Sequence, residues 1–240
     1  MRRQMLAKVM SFSLFGIEAY PIEIEVDVSK GLPAINLVGL ADATIKESRE
    51  RVKSAIKNSG FNWPAERITI NLAPSDMKKE GASFDLAIAL GILSVTNQIN
   101  SQRLKDCYIL GELSLDGSLR PVRGVLPISL VIAKSKIKDL FVPVQNAKEA
   151  AIVSGINVWP MNTLRQTVES LNNPQTIMPF KLDLTGSYKQ NFYYPVDFSE
   201  VKGQYFAKRA MEVAVAGGHN ILTSWTQCYQ RRAALVDRWE

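Results

Sequence analysis

Few residues in this 240-residue chain are of a type and spacing that could do chemistry. His219 is the single histidine, so the His pair of a metalloprotease is excluded, and no neighbouring acid and nucleophile complete a triad around it. Cys107 and Cys228 lie far apart, which excludes a disulfide framework and a cysteine-rich zinc site, so no metal is expected. Asp76 and Asp85 suggest paired carboxylates. No aromatic or acidic pattern of glycoside chemistry surrounds them, and a capping and loop role accounts for both. The remaining candidates are cations. Lys46, Arg49, Arg51, Lys53 and Lys57 fall on one helical segment and could meet nucleic-acid phosphates. Asp42, Glu47 and Glu50 share that segment, so a solvated face laced by i,i+4 pairs is the simpler account.

Positioning any of these groups takes a core, and a composition 46% hydrophobic and 22% charged can build one in one or two domains. The net charge of +6 permits anionic partners without naming one. Sparse cysteine use points to a reducing, cytoplasmic setting. Lys8, Ser11, Ser13 and Glu18 interrupt the N-terminal stretch, so no signal peptide is read there. The most apolar run, Leu86 to Val95, is about half the roughly twenty residues that span a bilayer, and no membrane partner is expected.

Ile22 to Val28 alternates apolar and acidic residues with the period of a strand that has one wet face. Ala34 to Val38 reads as a second strand, and Gly31-Leu32-Pro33 between the two predicts a hairpin or meander. From Ala41 to Ser59 the spacing of Ile45, Val52, Ala55 and Ile56 predicts a helix, capped by Asp42 and stopped by Gly60. Arg67 to Leu72 reads as a strand, residues 73–81 as a polar loop, and Phe84 to Val95 as a core helix with Ser83 as its N-cap. Downstream come a strand from Tyr108 and a hairpin turning at Asp116-Gly117. Helices at Val125–Ser135, Asn146–Val153 and Leu164–Leu171 then alternate with strands at Leu140–Val142 and Ile156–Trp159. The fold class expected is α+β. The pattern fades between Asn172 and Asp197, then returns as a helix at Tyr205–Ala216, with His219 to Leu222 opening a strand.

Collinear segments carry a resemblance. They are Gly31-Leu32-Pro33, Val38-Gly39-Leu40, Ile45 to Val52, Ile68 to Pro74, Lys79-Glu80-Gly81 with Phe84-Asp85-Leu86, Gly111 to Gly117 and Leu119 to Pro127. Val201 to Gln204, Ala207 to Ala210 and Ala216 to Asn220 continue the series. Together they are similar to the magnesium-chelatase-like AAA+ proteins of the ComM/YifB family. That likeness implies a domain similar to the C-terminal domain of Lon protease and to ribosomal protein S5 domain 2, followed by an AAA+ module. The division expected is 1–171 for the Lon/S5-like domain, 172–197 for a linker, 198–222 for the opening of the AAA+ module and 223–240 for an aberrant tail.

For full-length relatives the resemblance implies ATP and Mg as cofactors, a ring of copies, and a DNA-dependent motor activity in natural transformation. By the same resemblance Val201, Gly203 and Gln204 lie on the adenine side of bound ATP. In that family a glycine-rich loop ending in Gly-Lys-Ser/Thr follows the strand of Asn220 to Leu222; here Thr223-Ser224-Trp225-Thr226-Gln227 follows it, and none of the 14 glycines precedes a lysine. No cofactor and no ATP hydrolysis are therefore expected of this chain alone. The Lon likeness also puts Ser83 near the position of the Lon serine nucleophile, but it puts Leu126 where Lon has its lysine base. Lys78, Lys79 and Lys134 are the substitutes within reach in sequence, and without a base a serine hydroxyl is a poor nucleophile. A non-catalytic domain is the expectation, with a Ser83-dependent peptidase and a protein-interaction module as alternatives.

Overall fold

The computed structural model describes residues 6–39, 42–75, 79, 82–100, 102–173, 175, 177–182 and 197–223. They fall in two units, Met1–Tyr188 and Lys189–Glu240.

The first unit is built on a seven-stranded sheet. Its strands are β1 (Leu6–Phe15), β2 (Glu18–Ser29), β3 (Ala34–Val38), β4 (Arg67–Ala73), β5 (Cys107–Ile109), β8 (Asp139–Pro143) and β9 (Asn157–Met161); β6 (Glu112–Leu113) and β7 (Leu119–Arg120) form a separate two-stranded ribbon. The order across the large sheet is β3-β4-β2-β1-β5-β8-β9. The β1–β2 and β2–β4 pairs are antiparallel and the other four are parallel, so the sheet is mixed and mostly parallel.

This arrangement corrects the expected β2–β3 hairpin. β4 lies between the two strands, and β3 instead runs parallel to β4, with Ile35 beside Ile68 and Leu37 beside Ile70. The reason is the chain between β3 and β4, a helix long enough for a parallel crossover. The true hairpin partner of β2 is β1, which pattern reading missed because Lys8, Ser11 and Ser13 blur its alternation. Phe15 pairs with Glu18 across a turn at Gly16-Ile17, and Gly16 takes φ +60° there.

Helices cover both faces. α1 (Ala43–Asn58), α2 (Asp85–Val95) and α5 (Leu164–Asn172) enclose the larger core with Val9, Ile24, Val26, Ile70 and Leu72. α3 (Val125–Lys134) and α4 (Ala147–Ala151) cover a smaller core holding Phe12, Tyr108, Leu140 and Val142. The alternation of β1 divides its side chains between them, Ala7 and Val9 on one side and Phe12 on the other. Every residue of α2 is buried, Asp85 and Ser94 included, around the apolar run Leu86–Leu93. Asp42 caps α1, its carboxylate accepting from the Ile45 N–H at 2.8 Å. Ser83 is not the cap of α2: Phe84 stands there with no side-chain cap, and Ser83 belongs to the preceding turn.

Within the stretch read as linker, Phe180 forms an isolated bridge with Val158 of β9, its N–H donating to the Val158 carbonyl at 2.7 Å. Residues 183–196 and the proposed tail from 224 onward lie outside the described residues. In the second unit a short 3-10 turn at Phe198–Glu200 precedes α6 (Tyr205–Gly217), closed by Gly218 at φ +62°. The expected strand at His219–Leu222 is absent: those residues pair with no strand among the described residues, and a strand exists only through its neighbours. Among the described residues no helix is long and apolar enough to cross a membrane.

Candidate functional site

The candidate site lies where α2 begins. Its turn is interlocked with the 111–113 segment by backbone bonds: the Gly111 N–H donates to the Ser83 carbonyl and the Leu86 N–H to the Gly111 carbonyl, both at 3.0 Å. Asp85 adds side-chain bonds to the same knot. Its carboxylate accepts from Arg51 Nε at 3.0 Å, Arg51 Nη2 at 3.4 Å and the Leu113 N–H at 3.3 Å, with its side chain 1% exposed. One buried carboxylate thereby ties α1, α2 and β6. Burial pushes the Asp85 carboxyl up to about 6, against the pull of Arg51 and the Leu113 N–H.

Arg51 must therefore be withdrawn from the proposed nucleic-acid set. An α-helix turns roughly 100° per residue, which puts Arg51 about 160° around the axis from Lys53. Arg49 lies on the Lys53 side and its Nη1 donates to the Ile35 carbonyl of β3 at 3.4 Å. Arg49 and Lys57 are exposed and Lys53 half-buried on this flank, while the Lys46 side chain lies outside the described residues. The sequence grouped five cations because they share a helix; the packing of α1 divides them.

Lys79 also departs from expectation. Read as part of a polar loop, it is wholly buried, with its ammonium donating to the Pro74 carbonyl and its own carbonyl accepting from the Asp42 N–H at 3.2 Å. It thus pins the turn after β4 to the start of α1. Asp76 and Lys78 lie outside the described residues. Among the described residues no lysine is hydrogen-bonded to the half-buried Ser83.

The position given to a lysine base holds Leu126, in the first turn of α3. Its backbone N–H donates to Glu149 Oε1 at 2.9 Å, so a carboxylate sits at this helix start. Glu149 is held in turn by Asn146, whose Nδ2 lies 3.3 Å from Oε2. Buried Asn146 also pairs with both backbone groups of Val122, accepting at 2.9 Å and donating at 2.8 Å, as a neighbouring strand would. Lys134 is exposed at the far end of α3, about 12 Å along the axis from Leu126. The start of α3 thus brings together the Leu126 backbone and the Glu149 carboxylate, at the position that the Lon likeness gave to a lysine base. Glu149 and Asn146 escaped sequence reading; the only signal was an acid and an amide three residues apart near a short helix.

In the second unit, Gly203 at φ +70° and Gln204 at φ +54° make the turn that opens α6, with Val201 just before them. All three are exposed. The His219 ring packs against Gly217, where an added Cβ would fall 2.5 Å from it, and the His219 N–H donates to the Ala214 carbonyl at 2.8 Å. That contact makes His219 part of the helix end.

A mostly parallel mixed sheet with helices on both faces, and a serine turn locked to a glycine-led ribbon, define an α/β domain without a serine–lysine pair among its described residues. The family model described as subunit ChlI of Mg-chelatase matches residues 24–146, and a second one, magnesium chelatase, subunit ChlI, matches residues 197–226. The chain belongs to this magnesium-chelatase-like family of the ComM/YifB type. It is 43% identical over 219 residues to competence protein ComM of Haemophilus influenzae, covering 90% of this chain and 43% of that protein. To YifB of Escherichia coli it is 38% identical over 218 residues, covering 90% and 42%. Lon protease 2 of Bacillus subtilis is more distant, 26% identical over 180 residues, or 68% of this chain and 32% of that one. The chain thus spans less than half the length of its ComM and YifB relatives.

Proposed function

We propose that this chain is a non-catalytic accessory domain of a magnesium-chelatase-like AAA+ ATPase, with the fold of the Lon C-terminal domain and ribosomal protein S5 domain 2. It works in the cytoplasm, with copies of itself in a ring and with the DNA on which the whole assembly acts. The single observation that carries this reading is the pairing of Leu126 with Glu149, at the position where the Lon likeness implies a lysine base. The name of the competence protein supports a role in DNA processing for the assembly.

ATP, with Mg, belongs to the full-length relatives in this reading. Val201, Gly203 and Gln204 are the residues on the adenine side, and these 240 residues contain no glycine followed by lysine to hold the phosphates. Mixing the chain with the Haemophilus influenzae relative and measuring particle mass should give mixed rings, while the chain alone turns over neither ATP nor peptide. Failure to co-assemble, or ATP turnover abolished by a mutation within these residues, would overturn the reading.

A further inference from the structure

The two edges of the large sheet are treated differently. On β9 the chain meets its own edge at one point, the Val158–Phe180 bridge. The opposite edge, β3, has no outer strand among the described residues, and there the Ile35 carbonyl accepts from the Arg49 side chain rather than from a strand. Ile35 and Leu37 anchor β3 to the core, while exposed Leu32 and Val38 stand at its two ends, 82% and 47% accessible. Arg49 shows which side of α1 faces this edge, since it reaches the Ile35 carbonyl. Within about 80° of Arg49 around the helix lie Lys53 and Lys57. Glu50 is close to the same flank, and Lys30 and Arg67, both exposed, stand near the start of β3, leaving an excess of positive charge.

We propose that the outer edge of β3 is a docking site for an extended acidic polypeptide segment, which adds as a further strand beneath the basic flank of α1. Strand addition satisfies the open backbone groups, apolar side chains of the segment meet Leu32 and Val38, and its carboxylates meet Lys53 and Lys57. A second copy of this chain fits less well. Antiparallel pairing of two β3 edges about a two-fold axis would put both α1 helices on one face and bring their cationic flanks together. A nucleic acid would match the charge but leave the backbone groups and both apolar side chains without partners.

The proposal stands apart from the accessory-domain reading, since peptide binding by this chain depends on neither ring formation nor ATP. The test uses the full chain and a labelled peptide of alternating valine and glutamate, about eight residues long, followed by fluorescence anisotropy. Binding should weaken with salt, fall at least about tenfold in the Lys53→Glu/Lys57→Glu variant, and vanish when alternate peptide amides are N-methylated. Hydrogen exchange of residues 34–38 should slow on binding. No binding of the unmodified peptide would mean that the cations merely guard the edge, and would overturn the proposal. Undiminished binding of the N-methylated peptide would also overturn it. So would preference for an oligo-dT probe that the double variant loses, because the flank would then be a nucleic-acid surface. The methylation arm reads out on native protein and holds even if the double variant misfolds.

Discussion

Arg51 and Asp85, 34 residues apart, form a two-pronged ion pair whose carboxylate also accepts a backbone N–H from β6. Helix, helix and ribbon share one buried charge. Removing either partner leaves the other with an unmet desolvation cost. Arg51→Ala should therefore lose about 3 kcal/mol of stability at pH 7.5, measured by urea unfolding. A loss below about 0.5 kcal/mol would show the pair to be incidental.

The same pair gives a pH dependence with a defined sign. Asp85 titrates near 6 when folded, above its ordinary value of 3.8, because burial disfavours its charge. A raised folded pKa contributes stability that is complete below about pH 3.8 and is lost as pH rises through about 6. Relative to Asp85→Asn, the native chain should lose on the order of 2 to 3 kcal/mol between pH 4 and pH 7.5. A pH-independent difference between the two proteins, or one of opposite slope, would refute the assignment.

Asn146 imitates a strand by pairing with both backbone groups of Val122. Asn146→Ala leaves those groups without partners and should cost about 1 to 3 kcal/mol. Asn146→Asp should cost at least as much despite its similar shape, because it loses the donor and adds a charge beside Glu149. Thermal melts of the two variants decide this, and a tolerated aspartate would sink it.

Gly39 adopts φ +99°, and an added Cβ would stand 2.2 Å from the Leu72 carbonyl oxygen. Backbone cannot yield as a flexible side chain can. Gly39→Ala should destabilise the chain by roughly 3 kcal/mol or more, combining left-handed strain with the clash. Retention of a native-like melting temperature would show that the β3–α1 junction relaxes.

Burial raises the Cys107 thiol to about 12, leaving little thiolate at neutral pH. Iodoacetamide at pH 8 should modify Cys107 at least about a hundredfold more slowly in native than in urea-unfolded protein, read by peptide mass. Equal rates would show that β5 opens readily.

Some of this molecule was legible as sequence because local physics decided it. Ile45, Val52, Ala55 and Ile56 recur at helical spacing behind Asp42, so α1 forms wherever its apolar face is buried. Residues 86–93 are apolar all round, so α2 belongs in a core. Pairing was not legible: nothing in Ala34 to Val38 tells whether its partner is β2 or β4, because hydrogen-bonding backbone is the same at every residue and only the crossover geometry chooses.

The candidate site divides along the same line. Composition and order settle residue identities, and with them that no glycine here precedes a lysine. The tertiary structure alone decided which charges meet. Arg51 turned inward to Asp85 while Arg49 reached the Ile35 carbonyl of β3, and Glu149 crossed from α4 to the start of α3. Side-chain chemistry is written one residue at a time, whereas burial and charge pairing depend on distances between segments that only packing sets.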